Sequence, residues 1–307
     1  MLIDIILLIA GFLFLTYGAD MFIDGASALA RRFHIPEIVI GLTVVAFGTS
    51  LSEASVSIAS VLHGADGVAV GNILGSNIAN IFLVLGITAI ITTLSIQKNT
   101  IRYEIPFVGF ITVLLMCIGA YYGIISRFWS GVLVALLCLF MFYLVCCSRQ
   151  EIESDAPAPN ISGIRMILFL VVGIAAVIFS SNLIVDSSVN IARALNISER
   201  VIGLTIIAFG TSLPELVTCI VAAIKRRSDL AVGNIIGSNI INILFVLGVT
   251  GLIKPIPFEP AFLIDGAVGV IAIVMLWLFV FRCGRLTRNN GIVLLLSYFI
   301  YLGYLFM

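Results

Sequence analysis

Charge is what this chain has least of. Asp, Glu, Lys and Arg make up 10% of its 307 residues, where a soluble domain carries about a quarter. Sixteen basic residues stand against sixteen acidic ones, which leaves no basic face for nucleic acid. The few cysteines offer no ligand set. Cys117, Cys138, Cys146, Cys147, Cys219 and Cys283 lie in or beside apolar runs, without ligand-like spacing to histidine, and read as small apolar packing residues. The first apolar run also lacks the cationic start and cleavage site of a signal peptide. Asp4 is its one early charge, so it reads as a first membrane helix kept in the mature chain.

What fills the chain is apolar: 61% of residues, with a mean hydropathy of +1.23. A soluble fold of this composition would have too little polar surface to face water. Crossing a bilayer takes roughly 20 apolar residues per helix. Charged and turn residues cut the sequence into ten such segments, near 3–24, 37–62, 67–93, 104–124, 129–148, 164–187, 199–224, 229–252, 260–281 and 290–307. They do not alternate, so helices are expected rather than barrel strands. The expected fold is an all-α polytopic membrane protein of ten transmembrane helices. A soluble enzyme, a secreted disulfide scaffold and a disordered tail are excluded. The one sizeable polar connection, Ser148 to Ser162, is too short to be a domain and reads as a linker.

Lys and Arg distribute unequally between alternate loops. One side receives Arg31, Arg32, Lys98, Arg102, Arg149, Arg165, Lys225, Arg226, Arg227, Arg282, Arg285 and Arg288; the other receives Arg127, Arg193, Arg200 and Lys254. The count is 12 against 4, all 16 included. The richer side is expected to be cytoplasmic, with both termini outside a plasma or bacterial inner membrane.

The sequence repeats itself at an offset of 162. GLTVVAFGTSLSE at 41–53 matches GLTIIAFGTSLPE at 203–215 in ten of thirteen positions, and GVAVGNILGSNIANIFLVLG at 67–86 matches DLAVGNIIGSNIINILFVLG at 229–248 in fourteen of twenty. Each half holds five expected helices, an odd number, so the halves are expected to be inverted about an axis in the membrane plane. The division is 1–148, a linker at 149–163, and 164–307. Inverted repeats are typical of secondary transporters, with substrate bound near the midplane where the repeats meet.

Glu53 and Glu215 lie inside apolar segments with no Lys or Arg near them in sequence. A carboxylate there costs a few kcal/mol to insert and marks a functional site by default. Two such acids related by a pseudo-twofold demand a cation at the centre. Thr49 at i,i+4 and Ser50 at i,i+3 can share the Glu53 face. Gly48 and Gly210 permit a break in the helix, freeing carbonyls that are tolerated at membrane depth where they bind ions. Asn72, Ser76 and Asn80 form a polar stripe at four-residue steps, as do Asn234, Ser238 and Asn242; Gly71, Gly75, Gly233 and Gly237 allow close helix approach. Hard oxygen donors without His or Cys select Na⁺, Ca²⁺ or Mg²⁺, with Mg²⁺ the less comfortable guest because it dehydrates reluctantly. Two Glu charges balance one Ca²⁺ or two Na⁺.

At these residues the chain resembles the cation/Ca²⁺ exchanger superfamily, and within it the compact prokaryotic sodium/calcium exchangers. The paired GTSLxE and GNxxGSNxxN motifs carry the resemblance, which covers essentially the whole chain. It implies a Na⁺/Ca²⁺ antiporter working by alternating access, without a cofactor, in which the first and sixth helices move. It further implies that Glu53 and Glu215 are the central Ca²⁺ ligands, that Thr49 and Thr211 add backbone oxygens, and that Ala46 and Ala208 offer carbonyls to Na⁺. Ser50, Ser76, Ser212 and Ser238 would give hydroxyls, with Asn80 and Asn242 completing the middle of the site. There are two departures. Ser52 replaces the proline usual in this motif, leaving the first break less sharp or capped by Ser52. Asn242 stands where some members carry Asp, which argues against K⁺ co-transport.

A H⁺/Ca²⁺ antiporter of the same fold is the nearest rival. An intramembrane enzyme using the two Glu as acid and base lacks a nucleophile, and a passive channel would give uncoupled flux. The expected partners are Ca²⁺, Na⁺ and membrane lipid; no oligomerisation seam stands out, and a monomer is expected to suffice. Asp20, Asp24 and Asp186 read as interfacial anchors, His34 and His63 as loop residues, Glu104 as a helix-start residue, and Trp129 and Trp277 as part of an aromatic belt.

Overall fold

The computed structural model describes residues 2–64, 66–147, 161–195 and 208–305. Most of the expected linker, 148–160, lies outside these residues. So does 196–207, the expected start of the seventh segment.

The described chain is helical almost throughout. The elements are α1 (Leu2–Phe33), α2 (Glu37–Thr49), α3 (Leu51–Leu62), α4 (Gly67–Ile91), α5 (Thr100–Tyr122), α6 (Arg127–Cys147), α7 (Gly163–Ala194), α8 (Ala208–Gly210), α9 (Leu213–Ile224), α10 (Ser228–Ile253), α11 (Phe262–Phe281) and α12 (Arg288–Leu305). Seven of these, namely α1, α4, α5, α6, α7, α10 and α11, are long and apolar enough to cross a membrane singly. The pair α2 and α3 qualifies together, bent by 44° at its break.

α1 and α7 each run for 32 residues, well past the apolar segments expected at 3–24 and 164–187. Hydropathy marks where a chain must leave lipid, not where a helix must stop. Thirty-two residues at about 1.5 Å each exceed the bilayer core. The two helices lie along each other so closely that a Cβ at Gly18 would come within 2.8 Å of Ala176 Cβ, and one at Gly173 within 2.7 Å of the Phe22 backbone nitrogen. Their outward faces carry exposed Phe12, Phe14, Ile167 and Phe179, the surface a helix presents to acyl chains.

α4 and α10 occupy the centre. Their apolar windows are 83% buried, against 22% for α1 and 28% for α7. Against α10 packs α2, with a Cβ on Gly233 falling 2.9 Å from the Gly41 Cα. Regular α geometry gives way to wider π turns at Asn80–Leu85 and Asn242–Leu247, the same place in each half, and at Gly41–Val45. Such turns concentrate at functional sites.

Among the described residues, four two-residue strands join the loops. β1 (Leu94–Ser95) pairs antiparallel with β4 (Arg285–Leu286), and β2 (Ile124–Ile125) with β3 (Ile256–Pro257). Each pairing takes one strand from each half. Gly123 and Gly284, at φ +64° and +61°, make the left-handed turns leading into β2 and β4, a conformation that costs glycine little.

Sequence reading placed all six cysteines in packing roles. Of the five whose surroundings are described, only Cys219 is buried; Cys117, Cys138, Cys146 and Cys283 face outward. In a membrane protein an apolar side chain has no reason to prefer the interior over lipid, so apolarity does not predict burial. The anchors are better specified. Lys225 Nζ lies 2.7 Å from Asp20 Oδ1 and from Asp24 Oδ1, tying α1 to the end of α9. Arg227 bonds Glu37 Oε1 at 2.5 Å in a nearly closed setting, where Ser27 donates to the same oxygen at 2.7 Å. Removing one partner of a buried pair leaves an uncompensated charge and costs about 3–5 kcal/mol. Arg227→Met is therefore expected to lower the thermal unfolding midpoint in detergent sharply. Adding Glu37→Gln in the same chain should recover most of the loss.

Candidate ion-binding site

Both copies of the GTSL motif interrupt a helix. α2 ends at Thr49, Ser50 turns at φ −73° and ψ 3°, and α3 starts at Leu51. In the second half α8 ends at Gly210, Ser212 turns at φ −90° and ψ 2°, and α9 starts at Leu213. Pro214 sits in the first turn of α9, where its missing N–H would have no helical partner anyway. Glu53 and Glu215 thus become the third residue of a new helix. There the unpaired N–H groups and the helix dipole favour negative charge. Both Glu side chains are wholly inaccessible, and the two carboxylates are near enough to repel one another.

The breaks are held by α4 and α10. The Asn77 Nδ2 donates to the Asn239 carbonyl at 3.2 Å, and the Asn239 Nδ2 returns the bond to the Asn77 carbonyl at 3.3 Å. Asn80 Nδ2 then donates to Asn239 Oδ1 at 3.0 Å, while Asn242 Nδ2 donates to Asn77 Oδ1 at 3.1 Å. Every bond in this set has its image at the offset of 162. Asn234 braces the outer part of the site. Its Oδ1 accepts from Thr49 Oγ1 at 3.0 Å and its Nδ2 donates to Thr218 at 3.0 Å. Asn72 donates to Ser57 at 3.2 Å and to the Glu53 carbonyl at 3.4 Å.

Within this frame a set of buried oxygens has no protein partner: Glu53 Oε1, both oxygens of Glu215, Asn80 Oδ1, Asn242 Oδ1, Ser50 Oγ and Ser212 Oγ. Buried polar groups are ordinarily hydrogen-bonded. Here the unpaired atoms are all oxygens able to accept, and they occur in both halves. Asn80 and Asn242 show how the arrangement arises, since anchoring each amide by its nitrogen turns its oxygen inward.

Of the residues singled out from sequence, Ser76 lies beside Glu53, and Ser238 Oγ lies 3.4 Å from Thr49 Oγ1. The Thr211 carbonyl oxygen lies 3.3 Å from Ser52 Oγ. Ala208 opens α8. The Ala46 carbonyl already receives the Ser50 N–H at 3.0 Å and the Thr49 hydroxyl at 3.3 Å. Thr49 and Ser50 are expected on the face of Glu53, and the helix bends between them and that acid. Both stand beside Glu215, so that acid is lined partly by the other half. Asn77 and Asn239 were missed as the frame of the site. Their signal was present in the doubled GSN motif, where each directly follows a serine assigned to the site.

The sodium/calcium exchanger protein family matches residues 3–146 and again residues 165–307. Inner membrane protein YrbG of Escherichia coli is 38% identical over 322 residues, covering 100% of this chain and 98% of that one. Sodium/calcium exchanger MaX1 of Methanosarcina acetivorans is 30% identical, with 99% of each chain covered. The structure of the sodium-calcium exchanger NCX_Mj soaked with Na⁺ and Sr²⁺ superposes with a TM-score of 0.87 at 35% identity, over 98% of both chains. With its helical membrane fold and match over both halves, the chain belongs to the sodium/calcium exchanger family.

Proposed function

We propose that this transporter is a secondary active Na⁺/Ca²⁺ antiporter in which the two ions compete for one midplane site built on Glu53 and Glu215. The observation that carries the reading is the symmetric set of buried, unpartnered oxygens around two carboxylates, neither of which is in an ion pair among the described residues. Carboxylate, amide, hydroxyl and carbonyl oxygens suit hard cations such as Ca²⁺ and Na⁺. In this reading Glu53 and Glu215 hold Ca²⁺ with the Thr49 and Thr211 carbonyls. Ser50, Ser76, Ser212, Ser238, Asn80, Asn242 and the Ala46 and Ala208 carbonyls complete the Na⁺ positions. Ala46 can serve when the Thr49 hydroxyl turns fully to Asn234.

The architecture proposed is ten spans in two inverted halves, 1–148 and 164–307, joined by 149–163, with both termini outside the cytoplasm. The strand pairings support it, because they join only loops that this topology puts on one side: 94–95 with 285–286, and 124–125 with 256–257. α1 and α7 are the moving pair. They pack along each other, while the asparagine bonds tie α4 and α10 into the fixed part.

Sodium is favoured over protons by the neutral oxygens. Protonating the two carboxylates would supply at most two O–H donors for the four neutral oxygens of Ser50, Ser212, Asn80 and Asn242, whereas Na⁺ ions can use them all. Proteoliposomes loaded with Na⁺ and diluted into Na⁺-free buffer at constant pH are expected to take up Ca²⁺, and K⁺-loaded ones are not. Uptake that ignores Na⁺ but follows an imposed pH gradient would assign the protein to H⁺/Ca²⁺ exchange.

A further inference from the structure

Ser52 breaks the symmetry of the site. Its counterpart at the offset of 162 is Pro214, which has no hydroxyl. Ser52 Oγ lies 2.9 Å from the Thr49 carbonyl oxygen, 2.9 Å from Glu53 Oε2 and 3.3 Å from the Thr211 carbonyl oxygen. A hydroxyl carries one proton. It can satisfy one of these three acceptors, and the other two contacts set oxygen against oxygen. A cation relieves such crowding. The Thr49 and Thr211 carbonyls are equivalent in the two halves, so a point between them lies on the axis that also passes between Glu53 and Glu215. Ser52 therefore borders the central position rather than one of its flanks.

We infer that Ser52 is a specificity-determining ligand of the central divalent cation, giving it a hydroxyl oxygen from one half only. This rests on the proposed midplane site. When the ion is bound, the hydroxyl turns its proton to an acceptor the ion does not use and offers it a lone pair. Ca²⁺ accepts six to eight oxygens in flexible geometry, while Mg²⁺ demands a near-ideal octahedron. An extra oxygen on one side enlarges and skews the shell, favouring Ca²⁺ and Sr²⁺ over Mg²⁺.

The test is calorimetric titration of the detergent-purified full chain with Ca²⁺ and with Mg²⁺, in Na⁺-free buffer at fixed pH. Ser52→Pro reproduces what the second half already accommodates at the same place in its helix, so it is compatible with the fold. Ser52→Ala and Ser52→Pro are expected to weaken Ca²⁺ binding about five- to tenfold with Mg²⁺ little changed, and Ser52→Thr should stay within about twofold of the parent. Unchanged Ca²⁺ binding in Ser52→Ala would overturn the inference. An equal loss for both ions would too, since that marks a residue that merely positions Glu53. Glu215→Gln runs alongside. If it keeps Ca²⁺ binding, the midplane site itself is wrong; if it loses binding while Ser52→Ala does not, only the role of Ser52 falls.

Discussion

Glu215→Gln is expected to abolish Ca²⁺ transport, with a loss of Ca²⁺ affinity of a thousandfold or more. Two unit charges about 4 Å apart interact by about 4 kcal/mol at an effective dielectric of 20, and a divalent ion doubles that. Even if half is offset by the lighter desolvation of an amide, about 4 kcal/mol remains, which is roughly a thousandfold in binding. Both oxygens of Glu215 lack protein partners, so nothing in the protein replaces the lost charge. Glu53→Gln should fail as well, because it removes the second of the two charges. One Glu53 oxygen lies 2.9 Å from the Ser52 hydroxyl and the other has no protein partner. Radioactive Ca²⁺ uptake into Na⁺-loaded proteoliposomes measures both, with thermal unfolding as the control for folding. A fully active Glu53→Gln protein would sink the mechanism.

Asn239→Ala is expected to do comparable damage from one step further away. Asn239 is fully buried, and its amide serves two residues of the other half, Asn77 and Asn80. Its removal strips the Asn80 nitrogen of its anchor. An unsatisfied buried donor costs about 1–3 kcal/mol, and the freed amide of Asn80 can now rotate. Its oxygen then no longer points at the ion. The expected result is a lower unfolding midpoint together with at least tenfold weaker Ca²⁺ binding. A core residue that only packs would give the first effect without the second. Asn80→Ala should match the binding loss with less destabilisation, because it takes the oxygen away without breaking the Asn77–Asn239 pair.

Glu53 and Glu215 are legible in sequence because a carboxylate in an apolar segment is costly, and its recurrence at a fixed offset removes coincidence. Asn80 and Asn242 follow from the same offset. What the sequence does not convey is which half lines which acid. Spacing in a helix puts Thr49 with Glu53, but nothing local reveals that Thr49 also stands beside Glu215 of the other half, and no local rule fixes the direction of a chain after a break. The π turns starting at Asn80 and Asn242 are equally silent, since they add a residue to a turn without changing its composition. The outward cysteines and the long ends of α1 and α7 share one cause: in lipid, hydropathy no longer sorts inside from outside.

The reciprocal bonds between Asn77 and Asn239 restrict how this chain can change over time. The two residues are counterparts at the offset of 162, so a substitution at either one strips the other of a hydrogen-bond partner. Ser52 makes no bond to Pro214, so these two positions can differ without leaving a partner stranded. The two halves are thus bound to a shared chemistry at this asparagine pair and are free to differ at Ser52 and Pro214.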